Sequence, residues 1–256
     1  MKKLLVLLFL TAPLFAQSPF DGTWKTKLET AQFSSKPDRY LLEKGMYECF
    51  TCTPPFKVKA DGTDQKVTGH PYWNMIAVRV VDDRTIEISS KKDGKTISTE
   101  TETVSSDGNV LTEKFEDDSE AKPVTGEVTY TRLAKGPAGS HAYSGSWRVK
   151  KVNDVSSNGL SVTYQTTADG LKMSDQNGES YDAKFDGKEY PIEGDIGHTM
   201  VSLKRIGKNT IEETDHREGK IVGVSRMTVS PDGKSIHAVY TNKLNGDTTT
   251  FTMEKE

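Results

Sequence analysis

Thr103-Val104-Ser105-Ser106-Asp107-Gly108 recurs 125 positions later as Thr228-Val229-Ser230-Pro231-Asp232-Gly233. Working outward at that offset, Gly94-Lys95 falls on Gly219-Lys220, Thr85-Ile86-Glu87 on Thr210-Ile211-Glu212, and Asp61-Gly62 on Asp186-Gly187. With Gly69 on Gly194 and Met75 on Met200, residues 61–115 and 186–240 share 14 identities without a gap, many of them at turns. Upstream of each copy lies a second anchor, Phe20-Asp21-Gly22-Thr23-Trp24 against Tyr143-Ser144-Gly145-Ser146-Trp147. The chain therefore reads as a tandem duplication. The period is far longer than that of a solenoid repeat, so each copy is expected to carry its own core.

Between the matched turns the sequence is rich in β-branched residues and alternates apolar with polar positions. Strands are predicted at 72–81, 85–90, 96–104, 110–116 and 127–133, and again at 160–166, 200–206, 210–214, 220–229, 235–241 and 248–253. Asp-Gly and Asn-Gly steps punctuate them, as tight hairpins require. Residues 33–45 read as irregular, and no amphipathic helix of three turns is found. The expected fold is all-β: two tandem antiparallel meanders of about eight strands, each curled into a barrel because a flat meander leaves two exposed edges.

Residues 1–16 read as a cleaved secretion signal, with Lys2-Lys3 before the apolar run Leu4 to Leu10 and a small residue, Ala16, at the cut. The first domain is then expected at 17–134, a Gly/Pro linker at 135–141, and the second domain at 142–256. No Cys lies near the cut to take a lipid anchor, so a secreted or periplasmic location is expected. The formal charge is -3 and no basic patch is present, which argues against a nucleic-acid partner. After residue 16 no apolar run approaches the roughly 20 residues of a membrane span.

The two Gly-x-Trp openings, each followed by a meander of domain length, resemble the lipocalin and fatty-acid-binding superfamily. In that superfamily the Trp closes one end of the barrel and a basic residue of the last strand packs across it. The resemblance implies that role for Trp24 and Trp147, with Arg132 and Lys255 as the basic partners. The Thr-Asp-Tyr motif of classical lipocalins is absent. The phrases Tyr47-Glu48-Cys49-Phe50-Thr51-Cys52-Thr53-Pro54-Pro55-Phe56 and Lys135-Gly136-Pro137-Ala138-Gly139-Ser140-His141 further resemble secreted bacterial tandem-repeat proteins, a likeness that brings no activity with it.

Cys49 and Cys52, three apart, are expected to close a structural disulfide in an oxidising compartment. A redox pair would need a helix to steady the thiolate, and Thr53-Pro54-Pro55 denies it one. His70-Pro71-Tyr72-Trp73 reads either as a pocket mouth or as a surface turn with aromatics packed beneath it. Asp215-His216 resembles two members of a catalytic triad, but no nucleophile elbow accompanies it. Glu116-Asp117-Asp118-Ser119-Glu120 lacks the ligand spacing of a Ca²⁺ loop. No catalytic set, metal site or cofactor motif is expected. The leading expectation is a non-enzymatic binder of a small apolar or amphipathic ligand, with Trp24, Tyr72, Trp73 and Trp147 as candidate contacts. The alternative is a cell-envelope interaction module with fully packed cores.

Overall fold

The computed structural model describes residues 18–256, so the expected signal segment lies outside the described residues. Apart from one short 3-10 turn, every described element is a strand. The first ten are β1 (Gly22–Gln32), β2 (Asp38–Glu43), β3 (Met46–Cys49), β4 (Phe56–Lys59), β5 (Gln65–Lys66), β6 (Met75–Val80), β7 (Thr85–Lys92), β8 (Lys95–Val104), β9 (Val110–Asp117) and β10 (Val124–Lys135). The second ten are β11 (Gly145–Val155), β12 (Ser161–Thr166), β13 (Gly170–Asp175), β14 (Ser180–Lys184), β15 (Tyr190–Pro191), β16 (Met200–Arg205), β17 (Thr210–Arg217), β18 (Lys220–Val229), β19 (Ser235–Asn242) and β20 (Thr248–Lys255). All eleven expected strands are present. The stretch expected to be irregular contains β2, and each sheet has ten strands rather than about eight, the additions being mostly short.

The two sheets are antiparallel and nearly closed, as expected, but they do not follow the sequence repeat. One runs β4-β3-β2-β11-β10-β9-β8-β7-β6-β5, the other β14-β13-β12-β1-β20-β19-β18-β17-β16-β15. Each repeat thus lends its opening strand to the other barrel. β11 pairs with β10 and β2, whereas β1 pairs with β12 and with β20 at the far end of the chain. The first barrel is the continuous stretch from β2 to β11, and the second is closed by β1. The expected linker at 135–141 is a hairpin connection inside the first barrel. Its short length drives this result, because strands joined by a few residues pair with each other before they pair elsewhere. The expected domain limits, 17–134 and 142–256, therefore delimit the sequence repeats and not the sheets.

One residue pair seals each seam. In the first barrel the Gln65 side chain accepts from Lys59 N–H at 3.0 Å and donates to its carbonyl at 3.0 Å. In the second, Ser180 and Glu193 exchange two backbone hydrogen bonds, at 3.0 and 2.8 Å. Neither barrel is left with a long unpaired edge, the feature that promotes sheet-to-sheet aggregation.

Side chains alternate inward and outward as strand geometry requires. The first core gathers Ile76, Val78, Ile86, Ile88, Leu111 and Trp147; the second gathers Trp24, Leu171, Val201, Leu203, Ile211 and Ile236. Trp24 and Trp147 are fully buried, and each indole N–H donates to the carbonyl four residues back, Phe20 or Tyr143, at 2.8 Å. The basic residues expected to cover them do so. The Arg132 guanidinium lies 3.8 Å from the Trp147 ring centroid and the Lys255 ammonium 5.2 Å from that of Trp24. Because of the exchange, each cation covers the Trp of the other repeat.

The motif glycine follows from this geometry. A Cβ on Gly145 would meet the Ala134 carbonyl at 2.3 Å and the Arg132 side chain at 2.8 Å, and one on Gly22 would meet Lys255 at 2.6 Å. With φ near +139° and +130°, both positions also lie where L side chains are strained. Cys49 and Cys52 form the expected disulfide, with Cα atoms 5.5 Å apart.

Candidate functional site

A cavity of about 510 Å³ lies at the mouth of the first barrel and is roofed by loops of the second. Its floor comes from β8 and β9. On β8, Thr99, Thr101 and Thr103 face out, so Ser98, Glu100, Glu102 and Val104 must face in; on β9 the inward set is Leu111, Glu113, Phe115 and Asp117. Tyr72 and Trp73, from the loop between β5 and β6, form one wall. Glu179, Asp195 and Ile196 close it from the second barrel.

The aromatic wall is braced. The Trp73 ring stacks on His70 with centroids 3.9 Å apart and meets Phe56 edge-on at 5.3 Å. Tyr72 is held from outside by Arg217, which donates to its hydroxyl at 2.8 Å and lies 4.9 Å from its ring centroid. Arg217 also donates to Thr199 at 2.8 Å, so this contact ties the two barrels together.

Carboxyl groups dominate the rest of the lining: Glu100, Glu113, Asp117, Glu120, Glu179 and Asp195 all contribute, and no Lys, Arg or His does. Asp195 is satisfied by the N–H groups of Gly197 and Thr199, at 3.0 and 2.6 Å. Glu113 accepts from the Tyr130 hydroxyl. Glu120 is different, because its Oε2 is shut off from solvent without a hydrogen-bond partner. Burial, reinforced by Glu113 and Asp117, pushes the Glu100 carboxyl up to about 8. Burial pushes Glu120 and Glu179 up to about 7, with Asp175 the next cause for Glu120 and Glu120 the next for Glu179. Glu120, Asp175 and Glu179 each offer an oxygen within 4.8 Å of the others, a spacing that a cation could occupy.

A second cavity, about 260 Å³, lies in the lumen of the other barrel and is lined largely by Tyr164, Met173, Met227, Phe251 and Met253 with two carboxyl groups, Asp175 and Glu213. Burial pushes the Glu213 carboxyl up to about 7, although the Tyr181 hydroxyl donates to it.

Of the four expected contact residues, the structure brings Tyr72 and Trp73 to the main cavity. Trp24 and Trp147 line neither cavity. Their full burial makes them barrel plugs, the correction that the close cover of Lys255 and Arg132 requires. Glu100 and Glu113 were missed. Their signal was alternation: Glu100 shares a strand face with Val104, whose repeat counterpart is Val229, so that face was identifiable as the inner one.

His216 is not paired with Asp215. Its Nε2 lies 2.9 Å from Ser202 Oγ and its Nδ1 3.4 Å from Glu189. This triad-like set sits on the outer face of the sheet, where Val201 and Leu203 are the inward residues. The matching positions of the first repeat are Ala77, Lys91 and Asp64, and there Lys91 and Asp64 form an ion pair at 2.6 Å. A shared structural tie between the short strand and its neighbours accounts for both.

No protein-family model matches the chain, and no curated protein is similar to it.

Proposed function

We propose that this is a secreted or periplasmic, non-enzymatic protein that binds a small amphipathic molecule in the cavity between the barrels. The observation that carries the reading is the cavity itself. Its volume, about 510 Å³, falls in the range of roughly 300–1,000 Å³ typical of small-molecule sites. Braced aromatic rings on one side and convergent polar groups on the other suit an amphipathic guest. A fully packed interaction module would not keep such a space. The Cys49–Cys52 disulfide fits an oxidising compartment, and no described helix is long and apolar enough to cross a membrane.

Native mass spectrometry of the protein isolated from its own compartment, paired with organic extraction of the same sample, tests the reading. The expected result is an adduct of a few hundred daltons that solvent releases. A bare mass, an empty extract and no displaceable dye would favour the packed module instead.

A further inference from the structure

We propose that the cavity selects an organic ammonium ion, a protonated amine carried on an aromatic or aliphatic body. This deepens the binding reading above and rests on it. Three observations converge.

The first is the contrast between the repeats. The inward positions Glu100, Glu102, Glu113 and Asp117 correspond to Ser225, Met227, Ala238 and Asn242 in the second barrel. At these four positions the first lumen carries acids and its copy carries none, although the copy holds Glu213 where the first has Ile88; of the four, Glu100, Glu113 and Asp117 line the cavity. A barrel of this build does not need carboxylates there.

The second is that the acids are uncompensated. Glu102 and Glu113 stand directly opposite each other on neighbouring strands, an arrangement that destabilises a sheet once both are ionised. The charges acting on Glu100 are Glu113 and Asp117; those acting on Glu120 are Asp175, Asp117 and Asp195. The guanidinium behind the wall, Arg217, does not line the cavity and donates from one nitrogen to Tyr72 and Thr199. Glu120 Oε2 is enclosed with nothing to bond. Buried polar groups without partners are rare in folded proteins, and Glu120 is among the residues that line the cavity.

The third is the wall. Tyr72, Trp73 and Phe115 face the same space as the acids. An aromatic face attracts a cation and also packs an apolar body. A bare metal ion would make no use of these rings or of so large a volume, so the observations favour an organic cation over Ca²⁺.

The test uses the full mature chain and three probes with one ring body: 2-naphthylmethylammonium, 2-naphthalenemethanol and 2-naphthoate. Binding is read by calorimetry at pH 8 in moderate salt. The ammonium should bind roughly 10-fold or more tightly than the alcohol, as a charge-assisted hydrogen bond implies, and the carboxylate most weakly. Glu100→Gln and Glu120→Gln keep the side-chain shape. Each should weaken the ammonium roughly 10-fold while leaving the alcohol nearly unchanged, which a merely structural defect would not do. Equal binding of ammonium and alcohol overturns the cation preference and leaves the binding reading standing. Displacement of the ammonium by Ca²⁺, with Ca²⁺ binding lost in Glu120→Gln, overturns it in favour of a metal site. Absence of binding by all three probes, together with an empty extract from the native protein, overturns both.

Discussion

Glu102 shows at the scale of one residue what the first barrel tolerates. It is only 5% exposed and faces Glu113 across the strand pair, with Glu100 and Asp38 nearby and the hydroxyls of Tyr143 and Tyr47 around it. Tyr143 donates to its Oε1 at 3.1 Å. Burial, then Glu113 and Glu100, hold the carboxyl well above the usual range, and burial raises Glu113 too. The folded state therefore keeps protons that the unfolded chain releases near pH 4.3. Stability from these groups is complete below that value and is lost as pH rises through the folded values, which reach about 8 for Glu100. Thermal unfolding should consequently move to lower temperature between pH 5 and pH 9. Glu102→Gln keeps an acceptor for Tyr143 and cannot ionise. It should raise Tm at pH 9 by roughly 3 °C or more and change it little at pH 5. Calorimetry at the two pH values decides the matter, and a Tm lowered at both would contradict the account. The face on which Glu102 lies was legible, since Thr99, Thr101 and Thr103 alternate with it. Its charge concealed the reading, because carboxylates are normally solvated and draw attention to loops such as 116–120.

Among the elements, the junction of β10 and β11 does the most to fix the first barrel. Arg132 crosses Gly145, stacks on Trp147, and donates to three carbonyls, those of Gly108, Ala142 and Ser144. Lys255 on β20 covers Trp24 from 5.2 Å and is itself exposed. The two clamps look alike in sequence yet differ in strength, because a guanidinium spreads its donors over a rigid planar fork that reaches three separated carbonyls, whereas an ammonium is a single point of charge. Arg132→Met should cost about 2–4 kcal/mol, since it removes the contact with a buried ring and leaves three partly buried carbonyls without their donor. Lys255→Met should cost about 1 kcal/mol or less. Denaturant unfolding followed by tryptophan fluorescence measures both, and equal costs would contradict the clamp. The motif itself was legible: Gly-x-Trp and a basic residue near the end of a meander pointed to these four side chains. The partners were not, because a sequence repeat assigns Arg132 to Trp24 as readily as to Trp147.

For the whole molecule, that ambiguity is the strand exchange. A sequence repeat offset by 123 residues at its opening strand and by 125 over its body has the same sequence whether each copy closes on its own first strand or on its neighbour's. Only the shortness of the connection before Gly145 hinted at the answer, and shortness suits a linker equally well. The structure resolves it, since β1 and β20 seal the second barrel by joining the two ends of the described chain. The consequence concerns which piece can fold alone. A fragment spanning 36–156 contains β2 to β11, the disulfide, Trp147 and Arg132, and so keeps every neighbour in the first sheet. A fragment spanning 18–134, the unit the repeat suggests, lacks β11. It leaves the edges of β2 and β10 open, removes the largest side chain from the core, and carries β1 without its partners β12 and β20. The first fragment should melt cooperatively with a β-type circular dichroism spectrum and dispersed amide resonances. The second should be unfolded or aggregate through its edges. A fragment spanning 157–256 should likewise fold only when a peptide spanning 18–33 is added, as β1 restores the strand between β12 and β20. Cooperative folding of 18–134 with failure of 36–156 would mean that each barrel closes on its own first strand in solution.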